Sequence, residues 1–119
     1  MLFNKNIILE ILRSDFSDEI ESFVDECVTE FEEYDLEMIF GSSVEFATLS
    51  TIDEMTVENF SVEDDERGQN VFGIFEITVT LDGFEDDFFV DSAITELGVD
   101  FSFFASEESY SELKLECLY

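Results

Sequence analysis

Carboxylates are the side chains in this sequence that are numerous enough to do chemistry. The chain has 32 Asp and Glu residues against four Lys and Arg, and its formal net charge is −28 at pH 7. It has no histidine, which removes Ser-His-Asp and Cys-His nucleophiles and histidine-ligated metals together. Two cysteines are too few for a zinc site, and the five glycines form no phosphate-binding loop. We therefore expect no catalytic residues, cofactor or metal, and we predict that the protein is not an enzyme.

Three acidic motifs suggest other chemistry, and each has a simpler interpretation. Asp64-Asp65-Glu66 and Glu85-Asp86-Asp87 carry oxygen ligands suited to Ca²⁺ or Mg²⁺, but neither has the alternation of an EF-hand, so solvated acidic turns are favoured. A glycosidase-type pair of carboxylates stays open, although the sequence has no Trp for a sugar subsite. Glu112-Leu113-Lys114 has the E-x-K form of some nucleases, yet a surface this acidic would repel the phosphates that a nuclease must approach.

The stretch Ser17–Tyr34 places its acids most regularly. Its apolar residues recur at i, i+3, i+4 and i+7, which predicts an amphipathic helix with an apolar arc of about 140°. The rest of its surface would carry eight carboxylates: Asp18, Glu19, Glu21, Asp25, Glu26, Glu30, Glu32 and Glu33. At a rise of about 1.5 Å per residue this is one charge per roughly 3 Å, close to the spacing of about 3.4 Å between phosphates in one DNA strand.

The hydrophobic content indicates that this acidic chain folds. High net charge opposes a compact state, but disorder also requires low hydrophobicity. Here 45% of the residues are hydrophobic, and 15 of the 119 are Phe. No proline, linker or repeat marks a boundary, so we expect a single domain over residues 1–119.

The order of helix and strand patterns predicts the fold class. Phe3–Leu12 is a short helix or a buried strand, with helix favoured, and Gly41-Ser42-Ser43 is a stop signal after the main helix. Val71–Leu81 is the clearest strand, and Asp82-Gly83 marks a turn after it. The other candidate strands are Val44–Thr51, Met55–Val62 with a phase shift that fits a bulge, Val99–Phe104 and Leu113–Tyr119. We predict an α+β fold, with an N-terminal helix or helix pair packed on an antiparallel sheet of about four to five strands.

The sign of the charge restricts the partners. A surface at −28 repels nucleic-acid phosphates and anionic lipid heads, so we expect no direct binding to nucleic acid or membrane. The expected partner is a basic nucleic-acid-binding protein, such as a nuclease or a restriction or CRISPR effector. No stretch predicts a signal peptide or a membrane helix, which makes the cytoplasm the default compartment. Monomer and homodimer both stay open.

These observations favour an inhibitor that mimics nucleic acid, with carboxylates in place of phosphates in the basic groove of its target. In size and charge the chain resembles phage- or plasmid-encoded antagonists of restriction and CRISPR enzymes, a class without a common motif. The alternative is an immunity protein or antitoxin that neutralises a basic toxin such as a nuclease. A cation-binding module stays open, and so does halophilic adaptation, although 15 Phe argue against the small core that halophiles favour.

The predicted partner-binding residues form two groups. The first is the set of eight carboxylates on the Ser17–Tyr34 helix, because a helix holds charge at fixed spacing. The second consists of the turn acids Glu63, Asp64, Asp65, Glu66, Glu85, Asp86 and Asp87. Both groups would steer a basic partner by long-range attraction.

Phenylalanine and cysteine leave two further questions. The adjacent pairs Phe88-Phe89 and Phe103-Phe104 must point to both faces of a strand, which predicts either a second buried layer or an exposed aromatic spot for partner contact. Cys27 and Cys117 are interpreted as buried small hydrophobes, with a disulfide possible but not indicated.

Overall fold

Three helices precede four antiparallel strands in the part of the chain that the computed structural model describes, residues 2–41 and 44–118. The elements are α1 (Lys5–Ser14), α2 (Ser17–Thr29), α3 (Glu33–Phe40), β1 (Phe46–Asp65), β2 (Gly68–Glu85), β3 (Phe88–Ala105) and β4 (Tyr110–Leu118). The strands pair in the order β1-β2-β3-β4, each antiparallel to the next. This arrangement confirms the predicted α+β class. Ser42, Ser43 and Tyr119, which the sequence assigns to a stop signal and a last strand, lie outside the described residues.

The first apolar segment is a helix, as favoured from its sequence. Asn4 caps α1, since its side-chain oxygen accepts a hydrogen bond from the Ile7 amide at 2.9 Å. The buried side of α1 carries Ile8, Ile11 and Leu12. None of the helices within residues 2–41 and 44–118 combines the length and the apolarity needed to span a membrane.

The helix predicted over Ser17–Tyr34 is wrong at its C-terminal end, because α2 stops at Thr29. The Thr29 hydroxyl donates to two carbonyl oxygens of the preceding turn, at 3.1 and 2.9 Å, and such bonds compete with the helical ladder. The chain then restarts at a capping box. The Glu32 carboxylate accepts from the Asp35 amide, and Asp35 Oδ2 accepts from the Glu32 amide at 3.1 Å. The local hydrogen bonds thus make α3 a separate helix.

The turn predicted at Asp82-Gly83 is also wrong, because β2 runs through both residues to Glu85. Gly83 is buried beneath α3, and a Cβ there would lie 2.9 Å from a ring carbon of Phe40 and 3.0 Å from Val44. This glycine permits close packing of helix on sheet instead of reversing the chain. The reversal comes at Asp86-Asp87, whose φ values of 51° and 65° suit a two-residue hairpin turn.

β1 is a long edge strand of the described sheet, and three register shifts interrupt its pairing with β2. They lie between Leu49 and Thr51, between Ile52 and Glu54, and between Val57 and Asn59. The last shift is the irregularity predicted from the phase change between Val57 and Phe60. β1 and β2 form a hairpin whose turn is confined to Glu66-Arg67.

The core lies between the helices and one face of the sheet, which we call the inner face. On β2 this face carries five side chains that have no exposed surface: Val71, Phe75, Ile77, Val79 and Leu81. The rings of Phe75 and Phe101 lie 5.8 Å apart between centroids. Phe16, at the junction of α1 and α2, packs on Phe103 with 5.7 Å between the ring centroids. The alternation predicted for Val71–Leu81 is confirmed.

The opposite face of the sheet, which we call the outer face, is open to solvent. The buried Ile, Leu and Val residues of the described helices all belong to the core on the inner face. On the outer face of β2, Phe72, Ile74, Glu76 and Thr78 are half-buried among their strand neighbours. The sheet therefore has one face buried against the helices and one face exposed to solvent.

The two adjacent Phe pairs differ in their environments. Phe103 and Phe104 are both buried, whereas Phe88 and Phe89 are both exposed. Phe104 lies under the Arg67 guanidinium, with 5.4 Å between Cζ and the ring centroid. The second pair is thus an exposed aromatic spot of the kind that the sequence left open.

We predict that Gly73→Ala destabilises the protein, since the bulge in β1 brings the chain close to this position. An added Cβ would overlap the carbonyl oxygen of Asn59 and would lie 2.7 Å from Phe60 Cα. Overpacking of this kind reduces the free energy of unfolding by about 1–3 kcal/mol, measurable by urea denaturation.

Gly98→Ala is the matched control. The nearest atom to a Cβ at Gly98 is the Leu118 carbonyl oxygen at 3.6 Å, an ordinary contact. We expect this variant to stay within about 0.5 kcal/mol of the parent. Equal stability of the two variants would contradict the close approach at Gly73.

Candidate partner-binding surfaces

α2 presents five of the predicted carboxylates on one exposed face. They are Asp18, Glu19, Glu21, Asp25 and Glu26. The other side of the helix, with Ile20 and Val24, enters the core. Three of the acids, Asp18, Glu21 and Asp25, line an open cleft against Leu49 of β1. The acidic face of α2 is therefore accessible to a partner beside the β1 edge.

Charge along this helix is spaced more widely than the sequence predicts. α2 has 13 residues. At about 1.5 Å per residue, its five acids amount to one charge per about 4 Å of axis. The predicted match to a single DNA strand depends on Glu30, Glu32 and Glu33, which lie beyond the end of α2. That match is wrong for the helix taken alone.

The turn between β2 and β3, which we call the β2–β3 tip, brings together acids from distant parts of the sequence. Glu33, at the start of α3, lines one cleft with Glu45, Glu85 and Asp86. The Asp86 amide donates to Glu45 Oε2 at 3.0 Å, which ties the turn to the segment before β1. Three of these four acids are among the predicted partner-binding residues; Glu45 is not, because only the fold places it beside the turn.

The turn between β1 and β2 with the strand ends beside it, which we call the β1–β2 tip, holds the predicted acids Glu63, Asp64, Asp65 and Glu66. Of the other predicted acids, Glu30 and Glu32 lie between α2 and α3, and Asp87 lies in the turn after β2. Asp64 accepts a hydrogen bond from Gln69 Nε2 at 3.0 Å, and Asp65 accepts one from the Arg67 amide at 3.2 Å. Two acids from the turn after β3, Glu107 and Glu108, share a cleft with Glu66 and were not predicted. β2 connects the two tips, so they lie at opposite ends of a molecule whose longest dimension is 53 Å.

The outer face carries a third set of carboxylates, which we call the outer-face acids and which are not among the predicted partner-binding residues. They are Asp53, Glu54, Glu58, Glu76, Asp82, Glu96, Asp100 and Glu116. Paired residues of antiparallel strands share a face, so the register assigns most of them. For example, Glu54 and Glu96 both lie opposite Thr78, and Glu116 lies opposite Asp100. The strand register is needed to identify this set, because the sequence of one strand does not show which acids become neighbours across the sheet.

Two of the outer-face acids, Glu76 and Glu96, lie close enough to share a proton at acid pH. A hydrogen bond between protonated Glu76 and Glu96 raises the pKa of Glu76 above its ordinary value. The negative charge of Glu96 raises the Glu76 pKa further, with smaller contributions from desolvation and from Glu58. Carboxylates are thus crowded enough on this face for one to hold its proton more tightly than a free side chain does.

Asp53 has the opposite environment on the same face. The Thr80 and Thr51 hydroxyls donate to its carboxylate at 2.6 and 2.7 Å, and they lower the pKa of Asp53. Because the two threonines lie on different strands, they fix this charge across the β1–β2 pair.

The two cysteines are free thiols. Their interpretation as buried small hydrophobes is confirmed for Cys27 and wrong for Cys117, which is half-buried. Cys27 of α2 contacts Cys117 of β4, and burial is the main cause that raises the pKa of Cys27 to about 12. A thiol in this state is a poor nucleophile and a poor metal ligand. Within residues 2–41 and 44–118, no three His, Cys, Asp or Glu side chains are grouped so as to hold a metal ion.

The chain matches no protein-family model, and no curated protein or solved structure is significantly similar to it. Its candidate function therefore depends on the charge, the shape and the exposed side chains described above.

We predict that Glu76→Gln changes how stability depends on pH. The folded protein binds the Glu76 proton more tightly than the unfolded chain does. The free energy of unfolding therefore decreases as the pH rises from the ordinary Glu value of 4.5 through the raised pKa. Gln keeps a hydrogen-bond donor at every pH, so the Tm of the variant should exceed that of the parent increasingly as the pH rises from 4 to 7.

Glu116→Gln is the control for this measurement, because it removes one charge from β4 on the same face. Its Tm difference from the parent should change less between acid and neutral pH. If both variants gave the same pH profile, the shared proton would not be the cause.

Proposed function

We propose that the protein is an inhibitor that mimics duplex DNA and occupies the basic groove of a nucleic-acid-binding protein. The observation that carries this proposal is the charge per unit length of the whole molecule. Dividing its longest dimension of 53 Å among 28 net charges gives one charge per about 1.9 Å. Duplex DNA carries one charge per about 1.7 Å of helix axis. The charge spacing of α2 alone does not match that of DNA, but the charge spacing along the whole elongated molecule does.

The distribution of the acids supports the same proposal. The α2 acids lie on the helical side of the molecule, the outer-face acids lie on the other side, and each tip adds its own group. Hydrogen-bonded strands of 18 to 20 residues hold 12 of the 32 acids on an ordered backbone. A rigid array loses little conformational entropy on binding, so more of its interaction energy appears as affinity.

The mechanism is competition for the groove. The field of the molecule attracts a basic protein over distances near the Debye length and accelerates the encounter. Carboxylates then pair with the Lys and Arg side chains that would otherwise bind phosphates. Suitable targets are enzymes that grip duplex DNA in a basic cleft, such as restriction and CRISPR nucleases, and the protein would act as an anti-defence factor of a phage or plasmid.

The exposed Phe pair at the β2–β3 tip favours a second candidate, an immunity protein for one toxin nuclease. Apolar anchors near the centre of an interface give specificity for a single partner, which charge alone does not provide. An immunity protein would attract its basic toxin through the same negative surface charge as a DNA mimic attracts its target. An immunity protein can bind beside the active groove, whereas a mimic must bind within it, so competition with DNA separates the two.

We predict that inhibition is relieved by duplex DNA and by salt. The test uses a panel of purified restriction endonucleases, CRISPR nucleases and nuclease toxins, with cleavage of a labelled duplex as the measurement. For a mimic, the inhibitory concentration should rise in proportion to added unlabelled duplex. It should also rise at least about tenfold between about 50 and 200 mM NaCl.

Two outcomes would overturn this function. Inhibition that does not respond to added DNA would indicate a site outside the groove, as expected of an immunity protein. Lack of inhibition of every enzyme in the panel would remove the proposed function altogether.

We also predict that the α2 face contributes to binding. Glu21→Lys with Asp25→Lys changes the net charge by the same amount as Glu107→Lys with Glu108→Lys, and all four side chains are exposed. If the α2 face enters the groove, the first pair should weaken inhibition at least about tenfold and the second pair much less, because exposed charges beyond the Debye length are screened. Equal losses would show that only net charge matters.

A further inference from the structure

The end of the molecule at the β2–β3 tip has an exposed apolar cluster, which we call the tip patch. It consists of Phe46, Phe84, Phe88, Phe89 and Val90. Exposed fractions are 75% for Phe88, 59% for Phe89, 43% for Val90 and 38% for Phe46. Phe89 pairs with Phe84 and Phe88 pairs with Glu85, so the two rings lie on opposite faces of β3 at the end of the hairpin. Exposed apolar surface on an otherwise highly charged protein is typical of an interaction site.

Three rings of the tip patch form an ordered stack. Phe46, Phe84 and Phe89 lie opposite one another on the outer face of β1, β2 and β3. The Phe46 and Phe84 rings are stacked, with centroids 5.2 Å apart and planes 12° apart. Phe89 meets Phe84 edge to face at 6.1 Å. Because the rings fix one another in preferred aromatic geometries, the surface is formed before any partner arrives.

The backbone beneath the patch is held as well. Asp86 and Asp87 form the two-residue turn with positive φ, and the Asp86 amide is bonded to Glu45. This turn places two carboxylates directly before Phe88. The patch therefore combines aromatic faces with acidic groups at its rim.

Charge complementarity selects the partner for this surface. A second copy of the chain would bring another net charge of −28 against the acidic rim, so self-association through the patch is unfavourable. Arginine fits best, because its guanidinium can stack on an aromatic face and bind a carboxylate through paired N–H groups. Lysine is a compact, strongly hydrated charge and lacks that planar fork.

The other end of the molecule provides an internal example of arginine on a phenylalanine ring. There the Arg67 guanidinium lies 5.4 Å from the Phe104 ring centroid, and the backbone amide of Arg67 donates to the Asp65 carboxylate. Phe104 is buried in this arrangement, whereas Phe88 and Phe89 of the tip patch are exposed.

We propose that the tip patch binds arginine side chains of the basic partner, with guanidinium groups stacked on Phe88 and Phe89 and paired with Asp86 and Asp87. This inference rests on the proposed function in that it takes the partner to be a basic protein. It adds that the partner presents arginine to the β2–β3 tip. Binding then depends on the type of the partner's basic side chains and not only on their number.

The test compares octa-arginine and octa-lysine peptides as probes of the full chain by titration calorimetry at physiological salt. Both peptides carry the same charge, and we expect octa-arginine to bind at least about fivefold more tightly. Phe88→Ala with Phe89→Ala should abolish most of this preference while leaving octa-lysine binding nearly unchanged. Both side chains are exposed, and circular dichroism would verify that the fold is retained.

Ile94→Ala is the matched control, because Ile94 is an exposed apolar residue on β3 away from the tip patch. It should retain the preference for octa-arginine. A preference that survives Phe88→Ala with Phe89→Ala would overturn the inference and leave the DNA-mimic proposal standing. A preference that requires these Phe residues, in a protein that inhibits none of the nucleases, would support the arginine site and refute the mimic.

Discussion

Self-repulsion among 28 net negative charges is the constraint on which the other features of this structure depend. The fold meets it by keeping charge and core apart. None of the described buried residues is polar or charged, and Val71, Phe75, Ile77, Val79 and Leu81 of β2 have no exposed surface. Because no polar group among the described buried residues reduces it, the hydrophobic stabilisation from the Phe, Ile and Val side chains is complete. This stabilisation opposes the repulsion between the negative charges at the surface. The repulsion is felt locally at Glu76, whose pKa is raised by its hydrogen bond to Glu96 and by the negative charge of Glu96.

The same constraint explains the elongated shape. Four strands paired in sequence order form a long meander, and its length of 53 Å keeps the two acidic tips far apart. A rounder molecule with the same net charge would place these groups closer together, at a greater electrostatic cost. Elongation therefore lowers self-repulsion, and it also produces a charge per unit length close to that of duplex DNA. The shape that stabilises the chain is the one that a basic groove would accept.

The sequence predicts those parts of the fold that depend on local pattern. The alternation of Val71–Leu81, the irregularity after Val57 and the α+β class all follow from periodicity. The errors have specific competing causes: a capping box between Glu32 and Asp35 divides the expected helix, and Gly83 accommodates a helix instead of a turn. The outer-face acids were missed for another reason. Which of them become neighbours is decided by strand register, which no single segment encodes.

The three register shifts of β1 have a consequence for how the molecule behaves among its own copies. A sheet with long open edges is a template for further strands, and exposed aromatic residues increase that hazard. Each shift displaces the regular row of amide and carbonyl groups that an incoming strand would need to match. Charge protects the edge only while salt leaves it unscreened, whereas an irregular backbone protects it at any ionic strength. The β1 edge is thus protected by its geometry as well as by its charge, and this irregularity opposes strand addition at that edge.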